Sequence, residues 1–219
     1  MNTELQITQD GSHTLYVSEI DETYHSTHGA IQESTHIFIN AGLKQCKKQR
    51  VNILEVGFGT GLNAFLTAIE AQKSGQEIHF ISLEKYPVSI DKAMQLNYGQ
   101  QIQDTNSMAL FQKIHQADWG KEVAISEGFF LKKIQCDFTT YIPDTTFDLV
   151  YFDAFSPEKQ PEMWTEEQFQ KIYNACNQSA ILTTYCAKGA VRRALQAVGF
   201  KAERLPGPPG KREILRATR

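Results

Sequence analysis

Val51-Asn52-Ile53-Leu54-Glu55-Val56-Gly57-Phe58-Gly59-Thr60-Gly61-Leu62-Asn63 is the stretch on which the reading of this chain turns. Val51 to Val56 is an unbroken apolar run apart from Asn52 and Glu55, the pattern of a parallel strand covered on both faces. Leu62 to Ala71 places Leu62, Phe65, Leu66 and Ile69 on one helical face. Between strand and helix stand three glycines at alternate positions, Gly57, Gly59 and Gly61. Without a Cβ, each lets the backbone bend sharply and a ligand approach closely. The first amides of the helix offer unpaired N–H groups to any anionic part of that ligand.

Two cofactor patterns use such a turn. The dinucleotide pattern G-x-G-x-x-G/A is met by Gly59 to Ala64, which keeps an NAD-dependent oxidoreductase as a rival reading. The pattern E-x-G-x-G-x-G of S-adenosylmethionine methyltransferases is met in full by Glu55 to Gly61. A dinucleotide turn that began at the first glycine after the strand, Gly57, would need a small residue where Leu62 stands. A carboxylate at Glu55 also suits a sulfonium-bearing zwitterion and would repel a pyrophosphate. The second pattern is the favoured one.

The chain has 219 residues, 41% of them hydrophobic, enough for one large domain or a domain with a small appendage. Its four cysteines, Cys46, Cys136, Cys176 and Cys186, show neither a C-x-x-C pair nor a histidine at ligand spacing, so no metal is expected. A polar N-terminus and the lack of a membrane-length apolar run lead to the expectation of a cytosolic protein with no membrane contact. Net charge is −3, yet its distribution is uneven. Residues 1–43 hold six acids and no lysine or arginine, whereas residues 192–219 hold eight bases against Glu203 and Glu213. A basic end of this kind is a candidate phosphate-binding face.

Along the chain, Thr14 to Val17 and His36 to Ile39 read as short β-like runs within an N-terminal appendage, residues 1–43, that covers the site; residues 44–219 form the main domain. Strands are expected at Glu77 to Leu83, Phe147 to Phe152 and Ala180 to Thr184, with a hairpin of Val123 to Ser126 and Phe129 to Ile134. Helices are expected at Ser89 to Leu96, Ser107 to Gln116, Thr165 to Ala175 and Gly189 to Val198, and a closing antiparallel pair at Ala202 to Leu205 and Glu213 to Ala217. Strands alternating with helices predict a Rossmann-like α/β fold with a mostly parallel twisted sheet and ligands at the strands' carboxyl ends.

Four acids occupy those ends: Glu55, Glu84, Asp137 and Asp153. Glu84, 23 residues beyond Gly61, is spaced to accept hydrogen bonds from ribose hydroxyls. Asp137 would accept from an adenine amino group, and Glu55 would face a methionyl ammonium through water. Asp153-Ala154-Phe155-Ser156-Pro157 stands where amino-methyltransferases commonly carry Asp/Asn-Pro-Pro-Tyr, of which it keeps the acid and a nearby aromatic. Phe155 and Trp164 are candidates to stack a substrate, or else a hydrophobic lid over the sheet edge.

These blocks resemble one family, the methyltransferases of tRNA 5-methylaminomethyl-2-thiouridine formation. The resemblance rests on Glu55 to Asn63, on Asp153 to Trp164, on Val191-Arg192-Arg193-Ala194-Leu195 with Gly199-Phe200, on Lys211-Arg212-Glu213 and on Gly29 to Ser34. It departs mildly at Ala154, where glycine is frequent, and at Gln160, where asparagine is usual. It implies S-adenosyl-L-methionine held by Glu55, Gly57, Gly59, Gly61, Asn63, Glu84 and Asp137. It implies methylation of 5-aminomethyl-(2-thio)uridine at the wobble position, with Asp153 touching the reacting amine. Arg192, Arg193, Lys211 and Arg212 become candidates for gripping the anticodon arm. Because family members are often fused to an oxidoreductase that generates the amine, this chain resembles a stand-alone form fed by a separate enzyme. A methyltransferase for a small-molecule or protein amine remains the nearest alternative.

Overall fold

The computed structural model describes residues 2–102 and 106–219. Three strands, β1 (Thr3–Ile7), β2 (His13–Val17) and β3 (Glu22–Thr23), make a small antiparallel sheet, and helix α1 (Ala30–Ser34) follows. The larger sheet begins with β4 (Arg50–Val56), helix α2 (Leu62–Ser74) and β5 (Glu77–Glu84). Short helices α3 (Ile90–Ala93) and α4 (Tyr98–Gln101) lead to α5 (Ser107–Gln116) and the hairpin β6 (Glu122–Ser126) and β7 (Phe129–Gln135). Then come β8 (Phe147–Phe152), α6 (Glu166–Ala175), β9 (Cys176–Thr184), α7 (Gly189–Ala197), β10 (Lys201–Pro206) and β11 (Glu213–Thr218).

Eight strands lie in the order β10-β11-β9-β8-β4-β5-β7-β6. The run from β9 to β7 is parallel, and β6, β11 and β10 are antiparallel additions at the two edges. This is the Rossmann-like arrangement expected from the alternation of elements. β8 is buried at all six positions, as a strand covered by helices on both faces must be. From β4 the chain crosses through α2 to β5 on one side, while β8 pairs with β4 on the other. Strand order reverses there, so a crevice opens at the carboxyl ends of β4 and β8.

One element differs in kind from the sequence expectation. Residues His36 to Ile39 are helical, part of a π-turn Thr35–Asn40 that continues α1. The wider i→i+5 turn, seen in Ala41 N–H donating to His36 O at 3.1 Å, lets the consecutive residues Ile37, Phe38 and Ile39 all be buried. Phe38 packs on Tyr151 at 5.0 Å between ring centroids. Tertiary packing thus overrides the β propensity of Ile-Phe-Ile. The expected helix at Ser89 to Leu96 is one turn, α3, capped by Ser89 Oγ accepting from Lys92 N.

Candidate active site

The glycine turn needs its glycines. All three have φ in the left-handed region, +98° at Gly57, +51° at Gly59 and +74° at Gly61. A Cβ would come within 2.5 Å of the Asp153 carbonyl oxygen at Gly57, and within 2.8 Å of the Tyr24 ring at Gly59 and of His115 Nε2 at Gly61. Gly57 and Phe58 N–H both donate to Leu83 O, at 3.0 and 3.1 Å, tying the turn to the end of β5. Thr60 is clamped from two sides. His25 Nε2 lies 2.6 Å from its hydroxyl and His115 Nε2 is 3.1 Å from its carbonyl. Burial holds both imidazoles at about 4, well below the usual histidine range, so both are neutral at pH 7. Behind them Lys133, 1% exposed, donates to His115 O at 2.8 Å and lies over the Trp119 ring, and burial lowers its ammonium to about 8.

Above the turn is a cavity of about 420 Å³ lined by Gly57, Gly59, Glu84, Asp137, Asp153, Phe155 and Lys211 among others. Glu84 accepts from Gly59 N at 2.9 Å and Tyr86 N at 2.8 Å, which fixes one carboxylate against the turn. Asp137 pairs with Lys85 at 2.8 Å and accepts from Thr139 N and Oγ1. The Lys85 ammonium, then Thr139, hold its carboxyl at about 2, so it is a permanent acceptor.

Glu55 is placed differently from the reading that set it before a ligand's ammonium. It is wholly buried beneath the turn, does not line the cavity, and accepts a hydrogen bond from Ser82 Oγ. Burial raises its pKa above the usual glutamate value, opposed by the Ser82 hydrogen bond, and it supports the turn from below. Asn63 lies close to it, and Asn63 Nδ2 donates to Asp153 Oδ2 at 2.7 Å. Asn63 is 3% exposed and therefore braces Asp153 from behind. Gly61 also stays out of the cavity lining.

Asp153 caps the end of β8, and its N–H donates to Val56 O at 3.0 Å. Burial, opposed by the Asn63 hydrogen bond, pushes its carboxyl up to about 7. Around it stand aromatic walls. Tyr24 meets Phe155 edge-on at 5.1 Å, and Tyr185 donates to Ala154 O at 2.9 Å. Trp164 is a core residue, 6% exposed and outside the cavity lining; its indole N–H holds Phe155 O at 2.8 Å. It positions the Phe155 loop and is not itself presented to a substrate.

The basic candidates divide. Arg193 and Arg212 are exposed, and Arg192 is half-buried. Lys211 turns inward, 3.2 Å from Glu33 and 4.9 Å over the Tyr185 ring. Sequence reasoning missed the contributions of Glu22, Tyr24, His25, Glu33 and Tyr185, all in the cavity lining. Glu33 carried a signal, as the acid within the Gly29 to Ser34 block on which the family resemblance partly rests. The others carried none, because they reach the cavity through contacts across long chain separations, Tyr24 with Gly59, His25 with Thr60, Glu22 with Ser156 and Tyr185 with Ala154. Among the described residues no three His, Cys, Asp or Glu side chains are grouped to hold a metal ion, and no helix is long and apolar enough to cross a membrane.

Known proteins agree with this architecture. The tRNA 5-methylaminomethyl-2-thiouridine biosynthesis bifunctional protein MnmC of Cupriavidus metallidurans is 31% identical over 95% of this chain and 32% of its own length. This chain thus spans about a third of the curated relatives it matches. The crystal structure of MNMC2 from Aquifex aeolicus superposes with a TM-score of 0.82 over 99% of this chain and 69% of that one, at 26% identity. A spermidine synthase from Thermotoga maritima shares the fold alone, with a TM-score of 0.60 at 12% identity over 100% of this chain and 71% of that one. The profile of the S-adenosyl-L-methionine-dependent methyltransferases matches residues 100–219, more than half of the sequence. The matched residues carry Asp137, Asp153 and the second half of the sheet, the glycine turn lies before them, and the chain belongs to the S-adenosyl-L-methionine-dependent methyltransferase family.

Proposed function

We propose that this chain methylates the exocyclic nitrogen of 5-aminomethyl-(2-thio)uridine at the wobble position of tRNA. The observation that carries the reading is Asp153, a braced carboxyl poised near neutrality within an aromatic-walled cavity beside the cofactor turn. The residues fit the cofactor. Gly57 and Gly59 leave room that a Cβ would fill, Glu84 suits its ribose and Asp137 its adenine amino group. When bound, S-adenosyl-L-methionine supplies an electrophilic methyl group on a sulfonium.

An alkylamine that resembles lysine, with pKa about 10.4, costs roughly 4.6 kcal/mol to hold neutral at pH 7. The desolvating walls of Tyr24, Phe155 and Tyr185 reduce that cost by disfavouring the ammonium. Asp153 Oδ1, the oxygen not held by Asn63, accepts an N–H bond from the neutral amine, which keeps the nitrogen lone pair aimed at the methyl group, and takes that proton as the nitrogen gains positive charge. Asp153 returns that proton to solvent after transfer. Glu22 and Glu33 add negative charge to the acceptor side, which favours a cationic substrate over an anionic one.

Exposed Arg193 and Arg212 would contact phosphates of the anticodon arm, and the wobble base would leave its stack and rest against Phe155. Residues 1–43 would serve as the cover of this cavity, through Tyr24 and Glu33. A separate or attached oxidoreductase would supply the aminomethyl group, and the compartment is the cytoplasm, where such tRNA resides. The names of the relatives support the tRNA substrate; a small-molecule or protein amine is the alternative. Mass spectrometry of wobble uridine from cells lacking the protein decides between them, because accumulation of 5-aminomethyl-(2-thio)uridine supports tRNA and an unchanged nucleoside profile refutes it.

A further inference from the structure

Glu33 is buried to 8% exposure, comes from α1 and faces the same cavity as Asp153. One of its oxygens, Oε2, accepts from Ser26 N at 2.8 Å. The other, Oε1, is buried and receives no hydrogen bond, although Lys211 Nζ stands 3.2 Å away. The same Nζ lies 4.9 Å from the centre of the Tyr185 ring, and Tyr185 is fixed by its bond to Ala154 O, next to Asp153. Carboxylate and aromatic face together form a cage for a primary alkylammonium, and Lys211 is a primary alkylammonium. Glu33 and Lys211 are also close enough to Asp153 to act on its charge. Two carboxylates on one aromatic-walled cavity can hold two N–H bonds of one nitrogen and leave its lone pair directed elsewhere.

We propose that Glu33 is the second carboxylate of the amine subsite, with Oε1 receiving the substrate's aminomethyl nitrogen where Lys211 Nζ now lies. This deepens the function proposed above and rests on it. Glu33 is a substrate-positioning residue, and Lys211 an internal competitor that the incoming amine displaces. The test compares wild type, Glu33→Gln and Lys211→Met on tRNA carrying 5-aminomethyluridine at the wobble position, with S-adenosyl-L-methionine affinity measured by calorimetry. Glu33→Gln raises KM for this tRNA about tenfold, as loss of a charge-assisted bond does, with cofactor affinity and melting temperature retained. Lys211→Met breaks the same ion pair yet lowers KM. If both variants raise KM alike, the pair is a strut between α1 and the Pro206 to Glu213 turn and the proposal is wrong. An unchanged KM in Glu33→Gln also overturns it. Should Glu33→Gln fail to fold, the sign of the Lys211→Met change decides alone. Failure of the wild type itself to methylate this tRNA overturns the underlying function, and the subsite falls with it.

Discussion

Asn63→Ala tests the chemistry at Asp153 more sharply than replacement of Asp153 itself. Asn63 Nδ2 donates to Asp153 Oδ2 at 2.7 Å from a nearly fully buried position, so this bond favours the ionised carboxyl in surroundings that otherwise disfavour it. A hydrogen bond to a charged group contributes about 1.5–3 kcal/mol, of which the neutral acid retains part. A net difference of about 1.4 kcal/mol moves the carboxyl by about one unit. The Asp153 carboxyl should therefore rise from about 7 to about one unit higher in the variant. As a base Asp153 works when ionised, so wild-type kcat/KM rises as pH increases through about 7, and the variant's rise is displaced upward. At pH 7 the ionised fraction falls from about half to about a tenth, a loss of roughly fivefold that disappears above about pH 9. The assay is methyl transfer under kcat/KM conditions from pH 5.5 to 9.5, with cofactor affinity and thermal unfolding measured in parallel. A uniform loss at every pH, or an acid limb that does not move, refutes the reasoning.

Three further outcomes follow from the same geometry. Asp153→Ala should keep S-adenosyl-L-methionine affinity within a few-fold and lose at least about 100-fold in turnover, and unchanged turnover in steady-state kinetics removes it from the mechanism. Gly57→Ala forces a Cβ to within 2.5 Å of the Asp153 carbonyl at φ +98°, so denaturant unfolding should show a loss of about 2 kcal/mol or more together with loss of cofactor binding; a variant as stable as wild type contradicts the clamp. His25 and His115 titrate near 4 in the fold and near 6.5 unfolded, so the unfolded chain binds more protons between those values and stability falls as pH drops from about 6.5 to about 4. Each histidine accounts for up to about 3 kcal/mol of that loss, and His25→Asn should lose less stability than wild type over the same interval in urea titrations; equal losses in the two proteins would show that His25 is not buried neutral.

Local pattern was enough for much of this protein. The six residues Val51 to Val56, three glycines and the α2 periodicity identify the cofactor turn, because strand, turn and helix are each encoded by near neighbours. The same holds for the strand-end positions of Glu84, Asp137 and Asp153, since a strand that alternates with helices ends at the ligand side of the sheet. Charge state and direction were not legible in this way. Glu55 reads as a ligand's counter-charge, but β5 brings Ser82 to it and the fold buries it beneath the turn, where desolvation raises its pKa. Lys211 reads as a phosphate contact, but Glu33, contributed from 178 positions earlier in the chain by α1, draws it into the cavity. Trp164 reads as a stacking surface, but packing against Phe152 and Phe169 makes it part of the core. Residues His36 to Ile39 read as a strand until the burial of three consecutive side chains selects a π-turn. Which elements form is set within a few residues by periodicity and backbone freedom; what a side chain touches, and whether it carries charge, is set by groups that only the folded chain brings within a few ångströms.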